Sequence, residues 1–214
     1  MKKYIYLILL CITAITCKAQ SPIYGIMDVQ NGIKGSYYKD LNNELDGYDG
    51  TYTYYKPSTS TSVSEEFIIV LKKKVLAYDG YYYEDLIVGE YEFKRNGRSL
   101  DNTLANIDIN YKYEVINHAI KGNFILTGTE LGCLDCLPTE KRLRLTLVNK
   151  VRRNIKGLDI RKTTVNGVPA LKVSIFPQEH YYEEEDDDLM PVGTSISVGS
   201  TMLGIGEYVM IKRP

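Results

Sequence analysis

Apolar and polar residues alternate with a period of two along much of this chain, and this pattern limits the folds open to it. Successive side chains of a β-strand point to opposite faces, so an alternating run predicts a strand with one face in a core and the other in water. The alternating runs are residues 51–54, 87–94, 111–115, 142–147 and 171–175, and residues 67–71 form a continuous apolar run that ends at three lysines. The chain is therefore expected to be all-β.

Turn residues separate these runs at short intervals. Asn-Gly and Asp-Gly pairs tolerate the positive φ angles of tight hairpin loops, so they predict antiparallel neighbours. The pairs are Asp79-Gly80, Asn96-Gly97 and Asn166-Gly167. Helical signals are limited to residues 40–45, where Asp40 is expected to cap one short turn. Hairpins without intervening helices predict an antiparallel barrel, and a β-sandwich would satisfy the same pattern.

The composition agrees with a sheet and argues against one class of partner. The chain has 19 Tyr, four Phe and no Trp, and Tyr favours half-buried strands. We expect these rings to serve ordinary sheet packing, with a tyrosine-lined binding face as the alternative. Lys and Arg number 26 against 27 Asp and Glu, so no basic excess is present to attract nucleic acid.

Residues 1–19 have the order of a secretory signal peptide. Two lysines precede an uncharged apolar run over residues 4–15, and Ala19 supplies a small residue at the cut. The run is shorter than the roughly 20 residues that a membrane-spanning helix needs, and the mature chain contains no transmembrane segment by the same criterion. We expect cleavage between Ala19 and Gln20, a single antiparallel β domain over residues 20–214, and export to the periplasm, the cell surface or the medium.

Cys17 permits a second interpretation of the leader. Acylation of this cysteine would anchor the protein to the outer membrane as a lipoprotein. Lipoprotein cleavage prefers Gly, Ala or Ser just before the cysteine, whereas Thr16 stands there, and Ala14 occupies the position where Leu is expected. Simple cleavage after Ala19 is therefore favoured.

Several motifs together resemble a bacterial family of exported all-β proteins of unknown function. The clearest is Tyr-Tyr-Tyr-Glu-Asp-Leu-Ile-Val-Gly-Glu-Tyr-Glu-Phe at residues 81–93, and it is joined by residues 37–43, the cysteine pair of residues 133–136 and Arg-Lys-Thr-Thr-Val-Asn-Gly at residues 161–167. The resemblance implies an all-β fold and export, and it implies no activity. Residues 50–52, Gly-Thr-Tyr, also resemble the Gly-x-Trp opening of lipocalin and avidin barrels, with Tyr in place of Trp.

Cys133 and Cys136 form the sharpest local motif. Two cysteines this close are readily oxidised outside the cytoplasm, so a small structural disulfide is the favoured interpretation. A redox role would need the first thiol at a helix N-terminus, and strand signals surround it instead. A metal site would need further ligands, and the two histidines, His118 and His180, lie far away in the sequence.

Other candidates for chemistry are weaker. Glu84 and Asp85 are adjacent acids, and on a strand they would point to opposite faces; Asp85 is instead expected to bind nearby backbone amides and fix a corner. The acidic run of residues 183–188 lacks the spacing and the glycine of a calcium loop, which favours a solvated loop. Neither His118 nor His180 belongs to a catalytic motif.

These observations favour an exported β-domain with a non-enzymatic binding or structural role at the cell envelope. No cofactor is expected, the partner is unknown, and a small apolar ligand is the natural guest if the barrel interior is open. Two alternatives remain: an envelope hydrolase that uses two carboxylates, and a thiol or metal role at Cys133 and Cys136.

Overall fold

The structure is a computed structural model that describes residues 22–28, 32–130, 133, 135–149, 154–177 and 204–214. Strands dominate these ranges, and the helical elements in them are short: two 3₁₀ turns, Ile26–Asp28 and Leu104–Asn106, and the α-helix α1, Glu114–Asn117. The strands are β1 Ile23–Gly25, β2 Tyr37–Lys39, β3 Gly50–Lys56, β4 Glu65–Tyr78, β5 Tyr83–Arg95, β6 Arg98–Asn102, β7 Ile120–Thr127, β8 Lys141–Asn149, β9 Asn154–Val165, β10 Val168–Pro177 and β11 Gly206–Lys212.

Eight of the strands close into an antiparallel barrel. They follow the order β5, β4, β3, β11, β10, β9, β8 and β7 around the ring. The ring closes because β7 pairs with β5, with Ile87 opposite Gly122 and Gly89 opposite Ile120. The expected all-β antiparallel barrel is thus confirmed over the alternative β-sandwich. Closure removes the exposed sheet edges that a sandwich of the same strands would leave.

Strand β5 is long enough to serve three neighbours along one edge. Its first residues pair in parallel with β2, its middle pairs with β7, and its last residues pair with β6. Strand β1 adds to β2, also in parallel. Strands β1, β2 and β6 therefore lie outside the ring and extend the sheet at the two ends of β5.

Two of the predicted hairpin turns form as tight two-residue turns. Asn96 and Gly97 have φ angles of 50° and 72°, and Asn166 and Gly167 have 51° and 79°, as a two-residue turn between twisted strands requires. The Asp79-Gly80 turn is longer: residues 79–82 connect β4 to β5, and the Asp79 carboxylate accepts hydrogen bonds from the next turn amides.

Strand β4 does not end at its lysines. Lys72 and Lys74 project from the outer wall and bind acceptors in the segment after β6, whereas Lys73 points to the end of the barrel and binds Asp40 and Asp46. The strand continues to Tyr78 through an irregularity between Lys74 and Ala77. Three consecutive lysines are thus accommodated within a strand because the ammonium group of each one binds a nearby carboxylate or amide oxygen.

Two local predictions were wrong in detail. Residues 111–115 alternate like a strand, but residues 111–113 form a bend and residues 114–115 begin α1, which packs on β4. Residues 40–45 form turns rather than a helix. Asp40 nevertheless acts as the expected cap, because its carboxylate accepts hydrogen bonds from the amides of Glu44 and Leu45 at 2.8 and 3.0 Å.

The barrel interior is packed with side chains. The inward positions of the eight strands supply large apolar groups, and the turn after β2 closes one end of the barrel with Leu45 and Tyr48. The largest buried groups from the ring are Tyr52, Phe67, Ile69, Leu71, Ile87, Tyr91, Phe93 and Ile120. Among the described residues the interior thus gives no support to a small apolar guest.

Some predicted features fall outside the described residues. These are the leader with Cys17, Ala19 and Gln20, His180, and the acidic run of residues 183–188. Within the ranges that are described, no helix has the length and apolar character that crossing a membrane requires.

Candidate functional site: a charged groove on the outer wall

A polar cavity of about 490 Å³ lies on the outer wall of the barrel, over strands β8 to β11. Its volume falls within the range of about 300–1,000 Å³ that is usual for small-molecule sites. We call it the outer groove. It is lined by Cys133, Asp135, Arg142, Arg144, Asp159, Arg161, Lys172, Ser174, Phe176 and Glu207.

The alternation of the strands brings these side chains together. Leu143, Leu145, Ile160 and Val173 face the core, so their neighbours along each strand face outward. Arg144 lies opposite Asp159 in the β8–β9 register. Charged or polar residues from each of four adjacent strands thus reach the same patch of the outer wall.

Asp159 forms the centre of the groove floor. It is buried, and its carboxylate accepts hydrogen bonds from Arg142 at 2.8 Å and from Arg144 at 2.7 Å through each of two nitrogens. Arg142 also donates to the carbonyl oxygens of Gly128 and Glu130. The floor is therefore a fixed network of charge-assisted hydrogen bonds, which are stronger and more directional than neutral ones.

An aromatic ring is built into the wall beside this network. Phe176 lies opposite Gly157 in the β9–β10 register, and a Cβ atom at Gly157 would lie only 2.1 Å from the ring. The absence of a side chain at Gly157 is what lets the ring lie against the sheet. The guanidinium of Arg144 is 4.7 Å from the ring centroid of Phe176, a favourable cation–π distance.

The opposite rim of the groove carries a second set of ion pairs. Asp135 accepts hydrogen bonds from Lys172 and Arg161, each at 3.0 Å. Lys172 also lies 3.1 Å from Glu207. These partners, Lys172 first and Arg161 second, lower the pKa of Asp135 to about 2, so its carboxylate is ionised throughout the physiological range.

The predicted disulfide holds the rim loop. Cys133 and Cys136 are bonded to each other, and the Arg161 guanidinium donates to Cys136 Sγ at 3.6 Å. Asp135 lies inside the small ring that the disulfide closes, which orients its carboxylate toward Arg161. In this state both sulfurs are consumed by the bond, so they offer neither thiolate ligands nor a nucleophile.

Glu84 and Asp85 lie on opposite faces of β5, as the strand period requires. Asp85 is buried and accepts hydrogen bonds from the Tyr37 hydroxyl at 2.6 Å and from the backbone amides of Asp40 and Leu76 at 3.0 Å each. This is the corner-fixing geometry predicted for it. The two carboxyls therefore do not share a site.

Glu84 is the more unusual of the two acids. It is 7% exposed and accepts a hydrogen bond from the side-chain amide of Asn123 at 2.7 Å. Burial raises the pKa of Glu84 to about 7, with smaller contributions of the same sign from Asp79 and Asp85, against which the Asn123 hydrogen bond acts. A protonated carboxyl is therefore stable there near neutral pH.

His118 belongs to a second hydrogen-bonded network, which we call the covered cluster: Glu90, Glu114 and His118. The ring nitrogens of His118 lie 2.8 Å from Glu90 Oε1 and 2.8 Å from Glu114 Oε2. The imidazole is 0% exposed, and the ring of Tyr111 packs edge-on against it. The His118 ring is not accessible to a substrate, so its contacts are structural: it connects Glu90 of β5 to Glu114 of α1.

Sequence reasoning did not identify the outer groove. Its members are charged residues at the outward positions of amphipathic strands, where a solvated surface is the ordinary expectation. The available signal was the density of Arg on neighbouring outward positions of β8 and β9, together with Gly157 inside a strand opposite an aromatic residue. The disulfide loop above them was predicted, but its contact with Arg161 depends on long-range packing.

Comparison with known proteins gives a family but no function. A family model described as "Family of unknown function (DUF6705)" matches residues 1–204 of the chain. Searches of curated proteins and of solved structures each found no match. The description of the family carries no activity, ligand or partner.

Proposed function

The chain belongs to the family of unknown function (DUF6705), so no activity comes to it from relatives, and we propose that it is an exported, non-enzymatic binding domain of the bacterial cell envelope. Its ligand is bound in the outer groove rather than inside the barrel. The observation that carries this proposal is the contrast between a filled interior and a polar cavity built on the outer wall.

Export is supported by two independent features. The first is the order of the leader, in which two lysines, an apolar run and small residues precede Gln20. The second is the bond between Cys133 and Cys136, since such bonds persist in oxidising compartments and are rare in the cytosol. Release after Ala19 is the favoured form, and a lipid anchor at Cys17 is the alternative.

The intact mass of the protein purified from membrane and soluble envelope fractions tests the location. A mass that begins at Gln20, with two hydrogens missing for the disulfide, is expected. A mass that begins at Cys17 with added acyl chains would replace the released form by the anchored one. A mass that retains residues 1–19 would remove the export proposal.

A non-enzymatic role is supported by the state of the acids. A carboxylate-dependent hydrolase needs a pair of carboxyls about 5–10 Å apart across a cleft, one of which holds a proton. Glu84 has the raised pKa but lies apart from Asp85, on the other face of β5. In the outer groove, Asp135 has a pKa of about 2, which suits a fixed hydrogen-bond acceptor rather than a proton donor.

Binding in the outer groove is tested by filling it. Ser174→Trp places a large side chain among the lining residues without removing a charge, and Ser99→Trp, on the exposed strand β6, is the matched control. A thermal-shift panel of sugars, amino acids, dicarboxylates and phosphates is applied to all three proteins. We expect at least one compound class to stabilise the wild type and Ser99→Trp but not Ser174→Trp. Stabilisation of all three alike, or of none, would contradict the proposal.

A further inference from the structure

Each cation that lines the outer groove already has a carboxylate partner. Arg144 is bonded twice to Asp159, and Arg142 shares that carboxylate. On the rim, Arg161 and Lys172 share Asp135. An anionic ligand would have to displace these carboxylates, and the exchange of one ion pair for another gains little free energy. The described lining thus holds no unpaired positive charge for a phosphate or carboxylate.

The paired charges instead place donors and acceptors side by side. Guanidinium and ammonium groups only donate hydrogen bonds, and carboxylates only accept them, whereas a hydroxyl group does both. A ligand rich in hydroxyls can therefore bind across each pair without breaking it.

Phe176 adds an apolar surface to this polar lining. Gly157 lets the ring lie against the sheet, the guanidinium of Arg144 lies over the ring, and the part of the ring that these groups leave open lines the groove. A sugar ring carries apolar C–H faces within a rim of hydroxyls, so it can pack on an aromatic ring while its edge is hydrogen-bonded. An inorganic anion has no such face.

We infer that the ligand of the outer groove is a neutral saccharide, with hydroxyls bound by the Arg144–Asp159 and Arg161–Asp135 pairs and C–H groups packed against the part of the Phe176 ring that lines the groove. The inference rests on the proposed function, because it names the ligand class of the same groove. It is independent of whether the protein is released or anchored.

Titration calorimetry with the whole mature protein tests the ligand class. The probes are a set of neutral oligosaccharides (cellohexaose, maltohexaose, chitohexaose, xylohexaose and mannohexaose) and two anions, pyrophosphate and citrate, each at about 50 mM and about 500 mM salt. We expect one or more oligosaccharides to bind with an affinity that salt leaves unchanged, because no net charge is exchanged. Neither anion should bind at the higher salt concentration.

Variants locate the contact on the aromatic ring. Phe176→Ala should weaken oligosaccharide binding by about tenfold, and Phe176→Tyr should retain it, since an apolar contact with an aromatic ring is worth on the order of 1 kcal/mol. Gly157→Ala should also weaken binding, because its new Cβ displaces the ring without removing it. Tyr55→Ala, an exposed aromatic of β3 outside the groove, is the matched control and should bind normally.

The outcomes separate this inference from the proposed function. If pyrophosphate or citrate binds in a salt-dependent way and no oligosaccharide does, the groove is a binding site of another class and the saccharide inference is wrong. If oligosaccharides bind equally well to Phe176→Ala, the ring contact is wrong. If no probe binds and the thermal-shift panel also finds no ligand, both the inference and the proposed function fail.

Discussion

Two networks of titratable side chains lie on the outer wall of the barrel, and they differ in their exposure to water. In the covered cluster, Glu114 and His118 belong to the segment that joins β6 to β7 and pack over Glu90 of β5, and His118 is completely buried. The outer groove consists of ion pairs, and among the described residues only the disulfide-bonded loop approaches it, from one side. Charged side chains therefore join two parts of the chain in the covered cluster, whereas in the outer groove they line the cavity where we propose that a ligand binds.

The difference follows from the cost of removing charge from water. Burial of an ion pair is favourable only when hydrogen bonds satisfy its remaining atoms, and removal of one partner then leaves a charge that is expensive to keep. Exposed pairs are screened and contribute little to stability. The covered cluster should thus be sensitive to substitution, whereas the rim of the outer groove should tolerate it.

The largest expected effect is at the centre of the covered cluster. His118→Ala removes the hydrogen-bond partner of the buried Glu90 and leaves Glu114 with Lys74, and we expect it to lower the free energy of unfolding by about 3–5 kcal/mol. Urea unfolding measures the change. Lys141→Ala, which removes an exposed ion pair with Glu44, is the control and should cost about 1 kcal/mol or less. Equal costs for the two variants would break the comparison.

A second effect depends on pH and concerns Glu84, which lies on the same outer face of β5 as Glu90. Because burial raises its pKa to about 7, the folded protein holds this proton more tightly than the unfolded chain does. Stability from this group is present at low pH and is lost as pH rises from the ordinary carboxyl range through about 7.

Glu84→Gln should remove that loss, because glutamine does not titrate. The free energy of unfolding of the variant, relative to that of the wild type, should increase by an amount on the order of 2 kcal/mol from about pH 4.5 to about pH 8. Urea midpoints of both proteins at the two pH values measure the gain. A difference between the proteins that does not change with pH would show that Glu84 is solvated like an ordinary surface carboxyl.

The disulfide should contribute less. A ring of four residues removes little entropy from the unfolded chain, so Cys133→Ser with Cys136→Ser should cost about 1–2 kcal/mol. The same variant should weaken ligand binding in the outer groove, because Asp135 loses the ring that orients it toward Arg161. A loss of stability without any change in binding would separate the loop from the groove.

The smallest expected effect on stability is at the rim. Asp135→Asn removes one carboxylate from an exposed set of ion pairs, and its urea midpoint should shift less than that of the double serine variant. Because the pKa of Asp135 is about 2, the shift should be the same at about pH 4.5 and about pH 8. A shift as large as that of His118→Ala would mean that the rim is part of the structural core.

The features that the sequence predicted correctly depend mainly on residues that are close together in the chain. The turns at Asn96-Gly97 and Asn166-Gly167 follow from the φ angles that these residues tolerate, and the strands β8 and β10 follow from their alternation. The hydrogen bonds of Asp85 with backbone amides were predicted, because an acid at a strand corner commonly binds them, whereas its hydrogen bond from the Tyr37 hydroxyl was not.

Features that depend on distant partners were missed. Strand β4 passes through its lysines because acceptors from two other segments bind them, and residues 111–115 form a bend and the start of α1, which packs on β4 instead of pairing as a strand. The outer groove needs four strands in register, and no single strand reveals it. Along one strand, each of these charged residues resembles an ordinary solvated residue. They come together as a candidate site only when β8 to β11 pair in the barrel.

Chemical-shift mapping tests the central claim most directly, because it reports where on the barrel a ligand binds. Backbone amide spectra of the mature protein are recorded while the best-binding compound from the panel is added. The account predicts shifts that concentrate at the outward residues Arg144, Arg161 and Phe176. Shifts that concentrate instead at the inward residues Leu145 and Ile160, with the groove unchanged, would place the ligand inside the barrel and contradict it.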